Sequence, residues 1–162
     1  MYLRQLSPSD GIDVYELFQH IGPEENAFTN PVNGMRYNEF REWLVQQDKW
    51  SRNEDLPDGF VGQTIYYLVA NGLLVAVGKI RHKLTEASRL KGGNIGYAVS
   101  NEYRGMGYGT LILGMLLKKA DELGVKEKFL TVEKYNPSSK RVIEKNGGTL
   151  VSENNERWFF AF

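Results

Sequence analysis

The sequence contains no cysteine and only two histidines, and both shortages limit its chemistry. Without cysteine the chain forms no disulfide, offers no thiolate nucleophile and builds no cysteine-ligated zinc site. The two histidines, His20 and His82, are too few for a site with several histidine ligands. We therefore expect no bound metal, and the missing thiols fit a reducing compartment.

The chain also lacks net charge and long apolar segments. With 20 basic and 20 acidic residues, no overall field favours nucleic acid or an anionic membrane as a partner. No apolar run reaches the roughly 20 residues that span a bilayer. The first residues show neither the basic nor the apolar region of a secretory signal. We expect a cytoplasmic protein without nucleic-acid or membrane partners.

The length and composition are typical of one globular domain. Apolar residues make up 41% of the 162 residues and charged residues 25%, which argues against a disordered or fibrous chain. We therefore predict a single domain over residues 1–162, either monomeric or homodimeric.

Apolar periodicity and turn residues predict the secondary structure. Residues 22–35 and 85–93 are polar or rich in turn formers and are predicted to be loops. Asn71-Gly72, between two apolar runs, predicts a hairpin with a type I′ turn. The predicted strands are residues 2–6, 63–70, 73–80, 94–99, 129–132, 149–152 and 158–162. The predicted helices are residues 10–21, 37–52, 111–123 and 137–146. This order indicates a mixed α/β fold, with the later helices connecting neighbouring strands.

Residues 104–110, Arg-Gly-Met-Gly-Tyr-Gly-Thr, join a predicted strand to a predicted helix. The three alternate glycines let a phosphate approach the backbone closely. A helix start adds unpaired N–H groups and a partial positive charge. The segment therefore predicts a pyrophosphate site. The alternative is a tight turn without a ligand, which does not need the entropic cost of three glycines.

Two common phosphate motifs do not fit this segment. A P-loop ends in Gly-Lys followed by Ser or Thr, whereas the helix here opens with Gly109-Thr110 and no lysine. The dinucleotide fingerprint would place a glycine or alanine at position 110. A nucleotide-binding α/β domain, which would prefer NAD or ATP, is therefore the weaker alternative.

The pattern R-x-x-G-x-G, formed by Arg104, Gly107 and Gly109, resembles the coenzyme A pyrophosphate motif of the GNAT superfamily of N-acetyltransferases. A second segment, residues 136–148, is similar to that family's N-x-x-S/A helix after the fifth strand. The likeness covers residues 63–162, and residues 26–31 resemble a bacterial subgroup of predicted acetyltransferases. The resemblance implies a twisted mixed sheet of six to seven strands, with helices on both faces and a splayed central strand pair.

The same resemblance implies acetyl-coenzyme A as co-substrate. Tyr97, Ala98 and Val99 would line the pantetheine arm, and a backbone N–H of Ala98 or Val99 would polarise the thioester carbonyl. Asn136 and Ser139 would contact the coenzyme near the pantetheine or a phosphate. The pyrophosphate would be held by Arg104, Gly105, Met106, Gly107, Tyr108, Gly109 and Thr110.

The implied reaction is direct attack of a primary amine, on a small molecule or a protein, on the acetyl thioester. Family members often use a strand glutamate as base and a tyrosine of the last helix as acid. The matching positions here hold Asn94, Thr131 and Ile143. The remaining candidates are Glu133, Tyr135, Tyr97 and His82. Because the usual pair is missing, a non-catalytic sensor or regulatory module that binds acyl-coenzyme A is the alternative.

Overall fold

The structure is a computed structural model that describes residues 1–162. The helices are α1 Ile12–Gln19, α2 Tyr37–Ser51, α3 Glu86–Leu90, α4 Tyr108–Glu122 and α5 Pro137–Lys145. The strands are β1 Tyr2–Gln5, β2 Glu24–Glu25, β3 Phe28–Thr29, β4 Gln63–Ala70, β5 Leu73–Arg81, β6 Ile95–Val99, β7 Phe129–Glu133, β8 Thr149–Glu153 and β9 Arg157–Ala161. No helix combines the length and the apolar composition that crossing a membrane requires.

The strands form two larger sheets and one small hairpin. The first sheet has the order β1-β4-β5-β6, the second has the order β7-β9-β8, and β2 pairs only with β3. All pairs within these sheets are antiparallel. The larger sheets thus contain seven strands, and the predicted mixed α/β fold is confirmed.

The two larger sheets meet at Asn94, directly before β6. Its backbone N–H donates to the Phe129 carbonyl oxygen (3.0 Å), and its side-chain Oδ1 accepts from the Phe129 N–H (2.9 Å). Its Nδ2 donates to the Glu127 carbonyl oxygen (2.6 Å). Gly93 fits beside this junction because a Cβ there would lie 2.0 Å from the Phe129 carbonyl oxygen. Beyond the junction β6 and β7 do not pair, which confirms the splayed strand pair.

Each face of the first sheet has its own hydrophobic core, because alternate side chains point to opposite faces of a strand. On one face Leu68 and Ile80 belong to a cluster that includes Leu116 of α4. On the other face Val77 belongs to a cluster with Phe40 of α2 and with α1. Burial on both faces explains why β4 and β5 are almost continuously apolar.

The Asn-Gly turn signal placed one hairpin correctly. Asn71 and Gly72 have φ values of 52° and 77°, as a type I′ turn requires, and they join β4 to β5. The predicted strands 149–152 and 158–162 are present as β8 and β9, which pair with each other, and β9 lies between β8 and β7.

Two loop predictions were wrong in part. Residues 22–35 contain the β2–β3 hairpin, whose turn residues Asn26 and Ala27 have φ values of 46° and 64°. Alanine is unusual at positive φ, so Asn26-Ala27 does not resemble the Asn-Gly pair of a type I′ turn, although the segment is rich in turn formers. Residues 85–93 contain α3, which is too short for apolar periodicity to reveal and begins at the side-chain cap of Thr85.

Candidate functional site

A cleft of about 830 Å³ lies beside the edge of β6 that faces away from β5. It is bounded by the end of β6, the start of α4, one face of α5 and the β2–β3 hairpin. The predicted coenzyme residues in its lining are Tyr97, Val99, Arg104, Gly105, Gly107, Tyr108, Gly109, Thr110, Asn136 and Ser139. Two chain segments that are distant in sequence are thereby brought to one site.

Two of the predicted binding residues do not line this cleft. Ala98 is fully buried in the core shared with α1 and α2, on the opposite face of the sheet. Met106 lies in the glycine segment, but its side chain is 64% exposed. The prediction missed this because it treated consecutive residues as equivalent, whereas the backbone directs their side chains differently.

The glycine segment ends in an open helix start. Gly107 is the N-cap of α4 with φ 86°, and no side chain caps the helix. The first hydrogen bond of the helix runs from the Leu111 N–H to the Gly107 carbonyl oxygen (3.2 Å), which leaves the N–H groups of Tyr108, Gly109 and Thr110 without acceptors in the chain. The first turn contains no acidic residue. These donors and the helix dipole together favour an anion.

The free edge of β6 is defined by its pairing with β5. The Ser100 N–H donates to the Val75 carbonyl oxygen (2.9 Å), whereas the Tyr97 N–H donates to the Asn26 carbonyl oxygen (3.3 Å). Because backbone groups alternate between the two edges of an antiparallel strand, Tyr97 and Val99 direct theirs toward the cleft. The backbone groups of Ala98 face β5, which removes Ala98 as a donor to a thioester.

The buried hydroxyl of Tyr97 joins β6 to α5. It lies 2.9 Å from the Ser139 Oγ, and burial raises the pKa of Tyr97 to about 12. Asn136 caps α5 by accepting from the Ser139 N–H (3.1 Å), and Pro137 occupies the first turn. The Asn136 Nδ2 also donates to the Asn26 Oδ1 (2.8 Å). The motif residues therefore connect α5 to both β6 and the hairpin.

The charged side chains of the cleft come from three elements. Arg104 pairs with the Glu25 carboxylate, and burial raises the pKa of Glu25 although Arg104 acts in the opposite direction. Arg141 and Lys145 of α5 also line the cleft. The prediction missed these two, although their spacing of four residues within the predicted helix places them on one face. Nothing in the sequence indicated that Glu25 would reach the glycine segment.

A second cleft, of about 630 Å³, adjoins the first and contains two of the predicted catalytic residues. Glu133 at the end of β7 pairs with Arg157 (2.9 Å), and Tyr135 is 83% exposed. Both clefts are lined by Glu24, Glu25, Asn26 and Asn136. Glu133 and Tyr135 therefore lie on the far side of the hairpin turn from the glycine segment.

The third predicted catalytic residue, His82, lies apart from both clefts. Its Nε2 is 2.8 Å from the Thr64 Oγ1, and burial lowers its pKa. The three residues that the resemblance places at the usual acid and base positions make structural contacts. Asn94 joins the two sheets, Thr131 accepts from the Gly92 N–H (2.7 Å), and Ile143 is fully buried.

Three solved structures illustrate the fold. One is the N-acetyltransferase PseH from Campylobacter jejuni in complex with acetyl coenzyme A, with a TM-score of 0.63 and 14% identity over 99% of this chain and 96% of the other. Another is a chimera of the spermidine N-acetyltransferase SpeG from Vibrio cholerae with hSSAT, with a TM-score of 0.65 and 14% identity over 99% and 93%. The third is a ribosomal-protein alanine acetyltransferase from Vibrio fischeri, with a TM-score of 0.70 and 11% identity over 99% and 91%.

At these identities the three structures establish the fold and leave the acceptor open. No curated protein sequence matches the chain. The sequence profile of the acetyltransferase (GNAT) domain, however, matches residues 1–149. That match covers the glycine segment, the splayed strands and all of α5 with its cap. The chain therefore belongs to the GNAT acetyltransferase domain family.

Proposed function

We propose that this chain binds acetyl-coenzyme A in the 830 Å³ cleft and transfers the acetyl group to a primary amine. The observation that carries the proposal is the open start of α4, whose unpaired N–H groups at Tyr108, Gly109 and Thr110 face the same cleft as the free edge of β6. A diphosphate is a suitable ligand for such a helix start. The coenzyme would supply the activated acetyl thioester.

The cleft offers a separate partner to each part of this ligand. Arg104, Arg141 and Lys145 add positive charge around the helix start and would pair with phosphates. The backbone groups of Val99 and the carbonyl oxygen of Tyr97 on the edge of β6 would bind the pantetheine arm as a neighbouring strand does, while the Tyr97 N–H stays bonded to Asn26. Of the two donors considered for the thioester carbonyl, Val99 fits this geometry because its backbone faces the cleft.

We choose candidates for the general acid and the general base by their position in the clefts and their protonation state. A lysine-like amine has a pKa near 10.4, so it must lose a proton before it attacks the thioester. Glu133, in the adjoining cleft, is our candidate for the base, and the exposed Tyr135 would contact the acceptor. Tyr97, whose hydroxyl stays protonated at neutral pH, is our candidate for the proton donor. His82 has no role here because it lines neither cleft.

Two classes of acceptor are compatible with this site. The similar structures include an enzyme described by its action on spermidine and one described by its action on a ribosomal protein. We propose a primary amine acceptor of either kind, bound by one domain spanning residues 1–162, as a monomer or homodimer. The structural engagement of Asn94 and Thr131 favours one competing function, a module that binds acyl-coenzyme A without turning it over.

Calorimetry followed by a turnover assay tests the proposal. The protein should bind acetyl-coenzyme A, and it should bind NAD and ATP more weakly. Tighter binding of NAD or ATP would contradict the coenzyme assignment. Release of free thiol that requires an added amine would demonstrate transfer, because hydrolysis of the thioester would release thiol without one. Tight binding without thiol release for any amine would favour the non-catalytic module. Full turnover of Glu133→Gln across the pH range would exclude Glu133 as the base.

A further inference from the structure

A third cleft, of about 730 Å³, lies between α2, α3 and the ends of β4 and β5. None of its lining residues belongs to the coenzyme cleft. Its floor includes Lys79 and Arg81 of β5, and its walls include Trp43 and Trp50 of α2. Phe60, which precedes β4, lies at its rim and is exposed. The proposed acetyl transfer does not use this cleft.

Lys79 is the unusual residue of the third cleft. It is 5% exposed, and its ammonium group keeps some solvent contact but makes no hydrogen bond and no ion pair within the chain. Its one charge-related contact is with the Phe28 ring, whose centroid lies 5.3 Å from the Nζ. Burial, with a smaller effect of Arg81, lowers the pKa of Lys79 to about 7. An uncompensated buried cation is costly, so a counter-ion from outside the chain would stabilise it.

The remaining charges of the third cleft have the same sign. The cleft is lined by Arg81 and Lys91 together with Lys79. The Arg81 Nη1 donates to the Gly93 carbonyl oxygen (3.1 Å). No aspartate or glutamate lies in the lining. Glu24 is close enough to favour the charged form of Lys79, but it lines the other two clefts. The cleft is therefore positive without an internal counter-ion.

The opposite wall of the third cleft is aromatic. Trp50 and Phe60 pack edge to face with centroids 5.6 Å apart, and the Trp50 indole N–H donates to the Asp55 carbonyl oxygen (3.3 Å). Trp43 stacks against the buried Phe40 ring at 6.1 Å. These contacts fix both indoles, and rigid rings beside cations are suited to a ligand with a flat apolar part.

We propose that the third cleft is a binding site for a small organic anion, with its carboxylate or phosphate at Lys79 and Arg81 and a flat apolar body against Trp43 and Trp50. The ligand's charge would neutralise the buried ammonium, and its ring would take the place of water against the indoles. The site stands apart from the proposed coenzyme site, because it rests on different residues.

A charge series of small probes tests the anion site through tryptophan fluorescence. Trp43 and Trp50 line the cleft, and the other tryptophan, Trp158, lies on β9. Phenylacetate and phenyl phosphate should change the emission saturably, whereas phenylacetamide and phenethylamine should bind at least roughly tenfold more weakly. Phenylacetamide binding as tightly as phenylacetate, or the lack of saturation by either anion up to about 10 mM, would overturn the proposal.

Variants separate this site from the coenzyme cleft. Lys79→Met should weaken phenylacetate binding at least roughly tenfold, and Lys79→Arg should retain most of it. The exposed Lys83, which lines none of the three clefts, provides the control Lys83→Met, which should bind as the wild type does. Acetyl-coenzyme A affinity, measured by calorimetry, should be unchanged in Lys79→Met. Wild-type phenylacetate binding by folded Lys79→Met would refute the site and leave the coenzyme proposal intact.

Discussion

The backbone N–H of Tyr97 donates to the carbonyl oxygen of Asn26 across 3.3 Å. This hydrogen bond places the turn of the β2–β3 hairpin against the free edge of β6. Gly96 lies beneath the turn, since a Cβ there would come within 2.4 Å of the Ala27 carbonyl oxygen. The hairpin therefore covers part of the strand edge that we assign to the pantetheine arm, and it separates the coenzyme cleft from the cleft of Glu133.

Gly96→Ala tests how firmly the hairpin is held. The new methyl group would collide with backbone atoms of Ala27, which cannot move without displacing the turn. We expect a loss of about 1–3 kcal/mol in the free energy of unfolding, measured with urea. Gly22→Ala is the control, because its Cβ would meet nothing within 4 Å. Wild-type stability of Gly96→Ala would mean that the hairpin shifts at little cost.

Gly107→Ala tests the helix start. Gly107 and Gly124 stand at the two ends of α4 with φ values of 86° and 74°, and a Cβ at either would meet no atom within 4 Å. Alanine should therefore cost both variants a similar amount of stability, about 1–2 kcal/mol. Only Gly107→Ala should raise the Kd for acetyl-coenzyme A, by at least roughly tenfold. Equal affinities in the two variants, measured by calorimetry, would remove this segment from the site.

The basic face of α5 should contribute to coenzyme affinity. We expect Arg141→Gln and Lys145→Gln each to raise the Kd by roughly threefold to tenfold and to weaken its dependence on salt. Lys140→Gln is the matched control, because Lys140 pairs with Glu144 (3.3 Å) and does not line the cleft. A change in Kd as large for Lys140→Gln would show that net charge, and not position, determines binding.

Glu25 should oppose the binding of an anionic coenzyme, because its carboxylate occupies Arg104. Glu25→Gln is therefore expected to lower the Kd by roughly threefold to tenfold at pH 8. The pKa of Glu25 is raised, so as the pH falls toward that pKa the wild-type carboxyl protonates and its Kd should approach that of the variant. Calorimetry at several pH values measures this convergence. A difference in Kd between wild type and Glu25→Gln that stays the same at acid pH would contradict this prediction. Glu16→Gln is the control, because Glu16 lies on the exposed side of α1.

Lys79 should make the stability of the fold depend on pH. Its pKa falls from 10.5 in the unfolded chain to about 7 in the fold, so the folded form resists protonation. The resulting penalty is absent above pH 10.5, grows as the pH falls, and is complete below pH 7. Lys79→Met should therefore melt at least about 3 °C above the wild type at pH 7.

A comparison of wild type and Lys79→Met at a second pH provides the control. The difference in Tm should shrink as the pH rises toward 10, since the unfolded wild type then binds fewer protons. Arg81, Lys91 and Glu24 lie near Lys79, but they are present in both proteins and affect both melting curves. The Tm of Lys83→Met should equal that of the wild type at both pH values. A constant difference in Tm at pH 7 and pH 10 would contradict the assigned cause.

The parts of the fold that sequence predicted are those with local signals. Asn71-Gly72 specifies its turn through two residues that tolerate positive φ. The glycines at 105, 107 and 109 mark the start of α4, and Asn136-Pro137 mark the start of α5, because caps depend on neighbouring residues. Together with apolar periodicity, these signals were sufficient for the seven strands of the two larger sheets, for every helix except α3 and for ten of the 19 residues that line the coenzyme cleft.

The parts that sequence missed depend on contacts between distant segments. Ala98 fell on the wrong face because the register of β6 is set by its pairing with β5. Asn26 and Glu25 belong to the short β2–β3 hairpin. The hairpin lies at the cleft because its turn contacts β6, which is distant in sequence. In the sequence, Lys79 is a polar residue near the end of a predicted strand. It is buried because Phe28 and α2, which are distant in sequence, pack on that face of the sheet.

The side chain of Asn94 links the two larger sheets at the start of β6, and beyond it β6 and β7 are unpaired. A five-residue strand such as β6 is roughly 17 Å long. A rotation of β6 by about 10° about Asn94 would therefore shift its other end, near Val99, by roughly 3 Å relative to β7. Asn94→Ala would remove both side-chain hydrogen bonds, and the distance between Val99 and β7, next to the proposed coenzyme, would then vary more.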